Sequence, residues 1–363
     1  MRAALDVLGV DALIVTPPAN IHYLSSHIGT AGTLVLTREA VHLLVDFRYQ
    51  EAVRVLQESD AACPGLRVWD VPSSYEEALV ACLAEIGVAS VGFEAAHVSV
   101  ARHEWWRTTI AARRLDIALR PTERVVEQAR MIKDDWEIAT LREAAARLDR
   151  VMPTVLASVR AGETERRVAG VIEAAMREAG YERPAFDTIV ASGPHAALPH
   201  HRAGARALAT GDLVVLDFGG VLDGYCCDLT RTVSIGAPSR EAQRMHDAVR
   251  AAHAAAIAAV RPGVEASTVD AAARDVLSDR GLGDAFGHGT GHGIGLDVHE
   301  EPRIGKPRAD VPVVTLAPGM VFTIEPGAYR PGFGGVRIED DVLVTETGCD
   351  VLTTLPRELV ALG

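Results

Sequence analysis

The sequence predicts a two-domain α/β protein, and three observations lead there. Strand and helix patterns alternate over the first ~120 residues, about the size of one small α/β domain. Near Pro121 the composition shifts to long stretches rich in alanine, arginine and glutamate, which favour helix. After Ala185 short apolar strands appear, then helices again, then closing strands. A chain of 363 residues is also longer than one small domain needs.

In the first part, DALIVT, GTLVLT and AVHLLVD have the apolar runs of strands, and YQEAVRVLQES follows as a helix. SSYEEALVACLAEIG is amphipathic, with Ser73 and Ser74 as candidate N-caps and Gly87 just past its end. ASVGFE restarts a strand. In the second part EIATLREAAARLDRVMPTVLASVRAG and ETERRVAGVIEAAMREAG read as helices, and DTIVAS, DLVVLDFGG and GYCCDLTRTVSIG as strands. Helices return from Ser239 to about Arg280, and MVFTIEPG and GVRIEDDVLVTE close the chain as strands. This organisation predicts a first domain over 1–123, a linker over 124–130 and a second domain over 131–363.

Composition narrows the class of function. Lysine plus arginine number 36 against 49 aspartate plus glutamate, a formal net charge of -13. Such a chain repels phosphate backbones and anionic lipid, so neither nucleic acid nor membrane is expected as a partner. Asp6 and Asp11 interrupt the apolar start, which is neither a secretory leader nor a membrane span. The five cysteines, Cys63, Cys82, Cys226, Cys227 and Cys349, are odd in number and lack a CxxC spacing. That argues against a disulfide framework and places the chain in a reducing cytoplasm.

The residues that carry chemistry are acidic and imidazole side chains at strand ends. Asp217 ends the apolar run LVVLD, and Asp228 lies in GYCCDLTRTV. Between them Asp223-Gly224 is a two-residue hairpin signal. A turn there pairs Leu222 with Tyr225 and sets Asp217 opposite Thr230, so Asp217 and Asp228 become diagonal neighbours on one sheet face. Two carboxylates crowded on an apolar face need a cation. By themselves, a turn aspartate and an Arg231-paired aspartate explain them equally well.

Glu325 follows MVFTI, and Glu339 sits in GGVRIEDD, where Asp340 and Asp341 leave a plain acidic loop as the alternative. HGTGHGIGLDVHE holds His288, His292 and His299 among glycines, which is not a core composition. ALPHH adds His200 and His201. Carboxylates with an imidazole suit divalent Mn, Co, Fe or Zn better than a thiolate site does. Four carboxylates are balanced by two divalent ions, which favours a dinuclear centre.

The segments LDFGGVLDGYCCDLTRTVSIG, HGTGHGIGLDVHE, TIEPGAY and GVRIEDDVLVTE resemble, in order and spacing, the pita-bread metallopeptidases, most closely the Xaa-Pro dipeptidase (prolidase) and aminopeptidase P branch. DALIVTPPANIHYLS and VDFRYQEA are more loosely similar to a creatinase/prolidase-type N-terminal domain. The resemblance implies a pseudo-twofold α+β catalytic domain. It implies Asp217, Asp228, His292, Glu325 and Glu339 as metal ligands, with Asp228 and Glu339 shared between two ions. Asp217 would bind one ion, and His292 with Glu325 the other. It implies a bridging hydroxide as nucleophile, with Glu325 as proton shuttle. His200 and His299 would contact substrate, His201 having the weaker claim of its pair, and Arg337 would orient the acidic cluster. Manganese is the expected metal, with cobalt or zinc as alternatives, and the expected assembly is a homodimer.

A dipeptidase must bind the carboxylate on the proline, and arginine is the natural partner. Arg48 and Arg303 are the candidates, Arg48 having a salt bridge to Asp46 or Glu51 as its bland alternative. The compact chain favours a dipeptidase acting on Xaa-Pro. An aminopeptidase P acting on longer Xaa-Pro peptides is the runner-up. A methionine aminopeptidase, a creatinase-like hydrolase and an inactive pita-bread binding protein fit less well, because the first 120 or so residues are present and no ligand position is lost.

Overall fold

The computed structural model describes residues 1–309 and 311–363. The chain divides into two compact units, Met1–Arg130 and Met131–Gly363.

The first unit contains helices α1 (Arg2–Leu8), α2 (Pro18–Ser25), α3 (Gln50–Gln57), α4 (Tyr75–Ile86), α5 (Val100–Ala112) and α6 (Val125–Arg130). Its strands are β1 (Ala12–Val15), β2 (Thr33–Thr37), β3 (Val41–Val45), β4 (Leu66–Asp70), β5 (Ser90–Glu94) and β6 (Ala118–Thr122). They form one mixed sheet in the order β4-β3-β2-β1-β5-β6. β1 is buried along its whole length because both sheet faces are covered. Leu13 and Val15 join one apolar cluster, Ala12 and Ile14 the other. Ser74 caps α4 by accepting the Glu77 N–H, and Gly87 ends that helix in the left-handed region, as the sequence predicts. Residues 124–130, read from the sequence as a linker, contain α6. Its Val126 is buried with the first core, and its Arg130 donates to Asn20 of α2.

The second unit begins with a helix pair, α7 (Asp135–Ser158) and α8 (Glu165–Glu178). A capping box between Asp134 and Glu137 opens α7. The strands that follow are β7 (Arg183–Pro184), β8 (Ile189–Ser192), β9 (Leu213–Phe218), β10 (Gly220–Leu222), β11 (Tyr225–Cys226) and β12 (Leu229–Ile235). The motif then recurs. A second helix pair, α9 (Arg240–Ala259) and α10 (Ala266–Asp279), precedes β13 (Gly291–Gly293), β14 (Glu300–Ile304), β15 (Val321–Ile324), β16 (Gly327–Arg330), β17 (Gly334–Arg337), β18 (Asp340–Val344), β19 (Cys349–Val351) and β20 (Val360–Leu362). Each half has its own core. α7, α8, β9 and β12 bury Leu148, Ile172, Leu216 and Leu229, while α9, α10, β15 and β18 bury Val249, Val269, Phe322 and Val342. This duplication is the pseudo-twofold arrangement that the pita-bread resemblance implies.

Each half also contains a hairpin that changes sheet partway along. β9 and β12 pair within a four-stranded sheet, and their continuations β10 and β11 pair within a three-stranded one. β15 and β18 belong to a five-stranded sheet, whereas β16 and β17 form a sheet of two. The first hairpin turns at Asp223 and Gly224, both with positive φ (48° and 82°), the two-residue turn that Asp-Gly predicts. Its register is the expected one, with Leu222 opposite Tyr225 and Thr230 opposite Asp217. The sequence reading is corrected in one respect. GYCCDLTRTV is not a continuous strand, because Cys227 and Asp228 interrupt it. Likewise Ile338 and Glu339 interrupt GGVRIEDDVLV.

Gly219 makes the first break possible. A Cβ there would lie 1.9 Å from the Cys227 carbonyl oxygen, closer than any side chain tolerates. Gly219→Ala should therefore destabilise the chain by about 1–3 kcal/mol, the usual cost of forcing an extra group into close-packed structure. Thermal unfolding measures it, and an unchanged midpoint would show that the two strands have room to separate.

Candidate metal centre and active site

The two strand breaks bring the acidic residues together. In a break the backbone N–H leaves the ladder and must find another acceptor. The Asp228 N–H donates to Asp341 Oδ2 (3.0 Å), the Glu339 N–H to the Thr230 carbonyl (3.1 Å), and the Glu325 N–H to the Thr290 carbonyl (2.7 Å). The first two bonds tie the two hairpins to one another, the third ties Glu325 to the segment before β13, and together they fix three carboxylate-bearing backbones. Asp228, His292 and Glu339 offer ligand atoms that all lie within 4.8 Å of one another. His292 sits on β13, where its Nδ1–H donates to the Gly293 carbonyl (3.1 Å), so Nε2 faces Glu325 Oε1 at 3.7 Å as an acceptor.

Asp217 is engaged differently. It pairs with the buried Arg337 guanidinium, which also donates to the Tyr329 hydroxyl (2.9 Å) and, through Nε, to Thr230 Oγ1 (3.2 Å). Thr230 Oγ1 in turn donates to Glu339 Oε2 (2.5 Å). Thr230, opposite Asp217 in the register, therefore links Arg337 to Glu339 as well. Arg337 thus touches Asp217 directly and Glu339 through Thr230, although the strand carrying Arg337 stops before Glu339. Sequence reasoning missed Thr230, Tyr329 and Asp341 as members of this network. The hairpin register was the signal for Thr230, and TIEPGAY for Tyr329.

The electrostatics follow from burial. Asp228 is only 5% exposed, and its Oδ1 has no hydrogen-bond partner among the described residues. Burial, then the charges of Glu339 and Asp217, push its carboxyl well above the ordinary range. Burial and the charges of Glu325 and Asp217 do the same to Glu339. Burial raises Glu325 to about 7 and Asp341 to about 8. Burial, helped by the charge of His299, lowers His292 to about 4, leaving a neutral imidazole ready to ligate. An orphaned carboxylate oxygen, mutually repelling acids and a neutral imidazole are what a divalent cation satisfies, so the residues present fit such an ion.

The other predicted residues each lie within their own unit. His299 stacks edge-on with His292, centroids 4.3 Å apart, and is itself exposed. His200 is exposed, and its charge acts on both His299 and His288. His288 lies 4.0 Å from Glu325 and contacts the Tyr329 hydroxyl at 2.9 Å. His201 turns away from its neighbour, directing Nε2 to Glu165 at 2.9 Å. Arg303 is exposed on β14 directly opposite His292 on β13, a register that puts both side chains on one sheet face. Arg48 belongs to the first unit and makes a two-point pair with Asp46 (2.9 and 2.7 Å).

Residues 139–346 match the model of metallopeptidase family M24, and residues 1–132 match the creatinase/prolidase N-terminal domain. The chain belongs to metallopeptidase family M24. Among its solved M24 relatives, a Xaa-Pro dipeptidase from Bacillus anthracis superposes with a TM-score of 0.92 at 36% identity, covering 99% of this chain and 98% of that one. An X-Pro aminopeptidase from Thermotoga maritima gives 0.88 at 34% identity, with 99% and 98% covered. A Xaa-Pro dipeptidase from Pyrococcus horikoshii is 34% identical over 358 residues, 98% of this chain and 96% of its own. Membership of M24 implies divalent metal ions. Among the described residues no helix is long and apolar enough to cross a membrane.

Two predictions follow from this M24 cluster. Its carboxylates are protonated below their raised pKa values, and a cation binds the deprotonated form. Ion binding should therefore release protons near pH 6, with apparent affinity rising with pH. Calorimetry of Mn2+ binding in buffers of differing ionisation enthalpy reads both quantities. Thr230→Val removes the hydroxyl that orients Glu339 and should weaken metal binding about 10- to 100-fold while the fold is kept.

Proposed function

We propose that the chain is a divalent-metal-dependent Xaa-Pro dipeptidase, hydrolysing the peptide bond before a C-terminal proline, with its site on residues 131–363. The observation that carries this reading is the convergence of Asp228, His292 and Glu339, with Glu325 beside His292, in a chain of family M24. Asp217, Asp228, His292, Glu325 and Glu339 are the residues that would hold the metal. Four carboxylates make two divalent ions the balanced loading. Manganese is our first choice, then cobalt or zinc. Bound there, the metal supplies Lewis acidity toward the scissile carbonyl and an acidified water.

The chain's own residues do the rest. Glu325, raised to about 7 by burial, accepts a proton from the attacking water and delivers it to the leaving proline nitrogen. His299, whose pKa is lowered by partial desolvation of its ring, donates an N–H to the oxygen that becomes negative at the carbonyl. His200, beside it, positions the substrate. Arg337 holds Asp217 in place through their buried pair. Arg303, on the sheet face of His292, receives the proline carboxylate. Arg48 is the second candidate for that role and would have to exchange its Asp46 pairing for substrate. Proline after the scissile bond leaves a tertiary amide without an N–H, so recognition falls on ring shape and the terminal carboxylate.

Aminopeptidase P activity is the second reading, favoured by the likeness to the Thermotoga maritima X-Pro aminopeptidase. A homodimer, by family resemblance, and a cytoplasmic location, supported by five free cysteines, complete the proposal. The strongly acidic balance supports peptides over nucleic acid as substrates.

With Mn2+ present, Gly-Pro and Ala-Pro should turn over with higher kcat/KM than a proline-containing tripeptide. Selective turnover of the tripeptide would assign aminopeptidase P instead, and faster cleavage of a proline-free dipeptide would remove the proline specificity. Glu325→Gln should lower kcat by about 10²–10⁴. Arg303→Ala should raise KM for dipeptides far more than for tripeptides, whereas the same pattern with Arg48→Ala would move the carboxylate anchor to that residue.

A further inference from the structure

A second cluster of metal-binding side chains lies outside the site just described. Glu165, the first residue of α8, is fully buried. Its Oε1 is occupied by the Ser192 N–H (2.9 Å) and Ser192 hydroxyl (2.7 Å). Two imidazoles converge on Oε2, His195 through Nδ1 (3.2 Å) and His201 through Nε2 (2.9 Å), and the Gly204 N–H also reaches it (3.1 Å). His195 Nδ1 lies 3.0 Å from Oε1 as well. The two rings stack with centroids 4.2 Å apart, tilted by 35°. The Arg206 guanidinium, which feels the charge of Glu165, is committed to Asp212 and the Ser192 hydroxyl.

We infer that Glu165, His195 and His201 form a separate binding site for a divalent transition-metal ion such as Zn2+. Their ligand atoms lie within 4.8 Å of one another. A tetrahedral ion bound at ~2.0–2.1 Å separates its ligands by about 3.3 Å. The present distances of 2.9 and 3.2 Å from the imidazole nitrogens to Oε2 need only a few tenths of an ångström of adjustment to admit it. Two imidazoles and one carboxylate select late transition ions over Mg2+ or Ca2+. His195 is about one-third exposed, which leaves a route for the ion and for a water as fourth ligand. Binding exchanges the imidazole protons now facing the carboxylate for the cation, and so compensates a buried negative charge. The consequence is positional. His201 adjoins His200, so an ion here ties the segment between Gly193 and Gly204 to the start of α8 and restrains the loop that presents His200.

The inference rests on Glu165, His195 and His201 alone, and the test keeps it apart from the proposed active site. Metal-free protein is titrated with Zn2+ and bound ions are counted by equilibrium dialysis and elemental analysis. The wild type should bind one equivalent more than His195→Ala/His201→Ala. Asp228→Asn/Glu339→Gln should keep that equivalent and lose it when all four substitutions are combined. In the Asp228→Asn/Glu339→Gln background, saturating Zn2+ should raise the thermal midpoint by several degrees, and the combined variant should not respond. His195→Gln retains a donor toward Glu165 and serves if the double alanine variant fails to fold. Equal Zn2+ stoichiometry in the wild type and in whichever His variant folds overturns the inference and leaves Glu165 as a hydrogen-bonded anchor of the loop. Unchanged loading in Asp228→Asn/Glu339→Gln would instead count against the proposed catalytic centre.

Discussion

Mutual repulsion among buried carboxylates is the constraint on which the catalytic unit turns. Asp217, Asp228, Glu325 and Glu339 are drawn from two hairpins in different halves of the sequence, yet Asp228, Glu325 and Glu339 each feel the charge of others in the group. Burial alone would drive these three to protonate, and crowding adds to it. Arg337 enters the group and is aligned on Asp217. Among the described residues, one oxygen of Asp228 finds no hydrogen bond. An arrangement so unfavourable in the bare protein makes sense as a receptor for divalent cations, and the fold has to supply the rigidity that keeps it assembled.

That rigidity comes from the way the strands break. A carboxylate in mid-strand would have its backbone satisfied by the ladder and its direction set by the pleat. At a break the N–H is released and can be used to lock one hairpin onto the other, as Glu339 does on Thr230. The three consecutive acids Glu339, Asp340 and Asp341 show how much the break decides. Glu339 faces the metal cluster. Asp340 is fully buried, which by itself would raise its pKa, yet His253, Arg231 and Arg357 hold it well below the ordinary value. Asp341 accepts the Asp228 N–H. Arg231 also donates to the carbonyls of Glu339, Leu355 and Pro356, so the end of the chain is tied to the backbone of the cluster.

Much of this was legible beforehand because it depended on local chemistry. Asp223-Gly224 specified its turn, and the turn specified the register that sets Thr230 against Asp217. The glycine-rich run around His288 and His292 stood out from a core composition, and at Gly291 the reason is a neighbouring strand, since a Cβ there would meet the Thr323 carbonyl at 1.8 Å. What could not be read were features set by long-range contact. The breaks at Asp228 and Glu339 lie in runs with good strand propensity, and only pairing with a different sheet interrupts them. The acidic run after Ile338 reads equally well as a solvated loop until Arg231, from a distant strand, is placed beneath it. α6 looked like a linker because its burial depends on partners such as Asn20, far away in sequence.

The adjacent histidines His200 and His201 carry the same lesson to the level of function. Sequence alone offers two adjacent imidazoles beside a proline, and only the family resemblance gave His200 the stronger claim. The structure separates them through Glu165, whose carboxylate takes His201 and leaves His200 exposed among the electrostatic neighbours of His288 and His299. A residue's chemistry is here assigned by what its neighbour is already bound to. Because Glu165 is fully buried and holds six protein contacts on its two oxygens, the loop cannot exchange one histidine for the other without stripping that carboxylate of its donors. The cost of that exchange fixes which imidazole remains exposed.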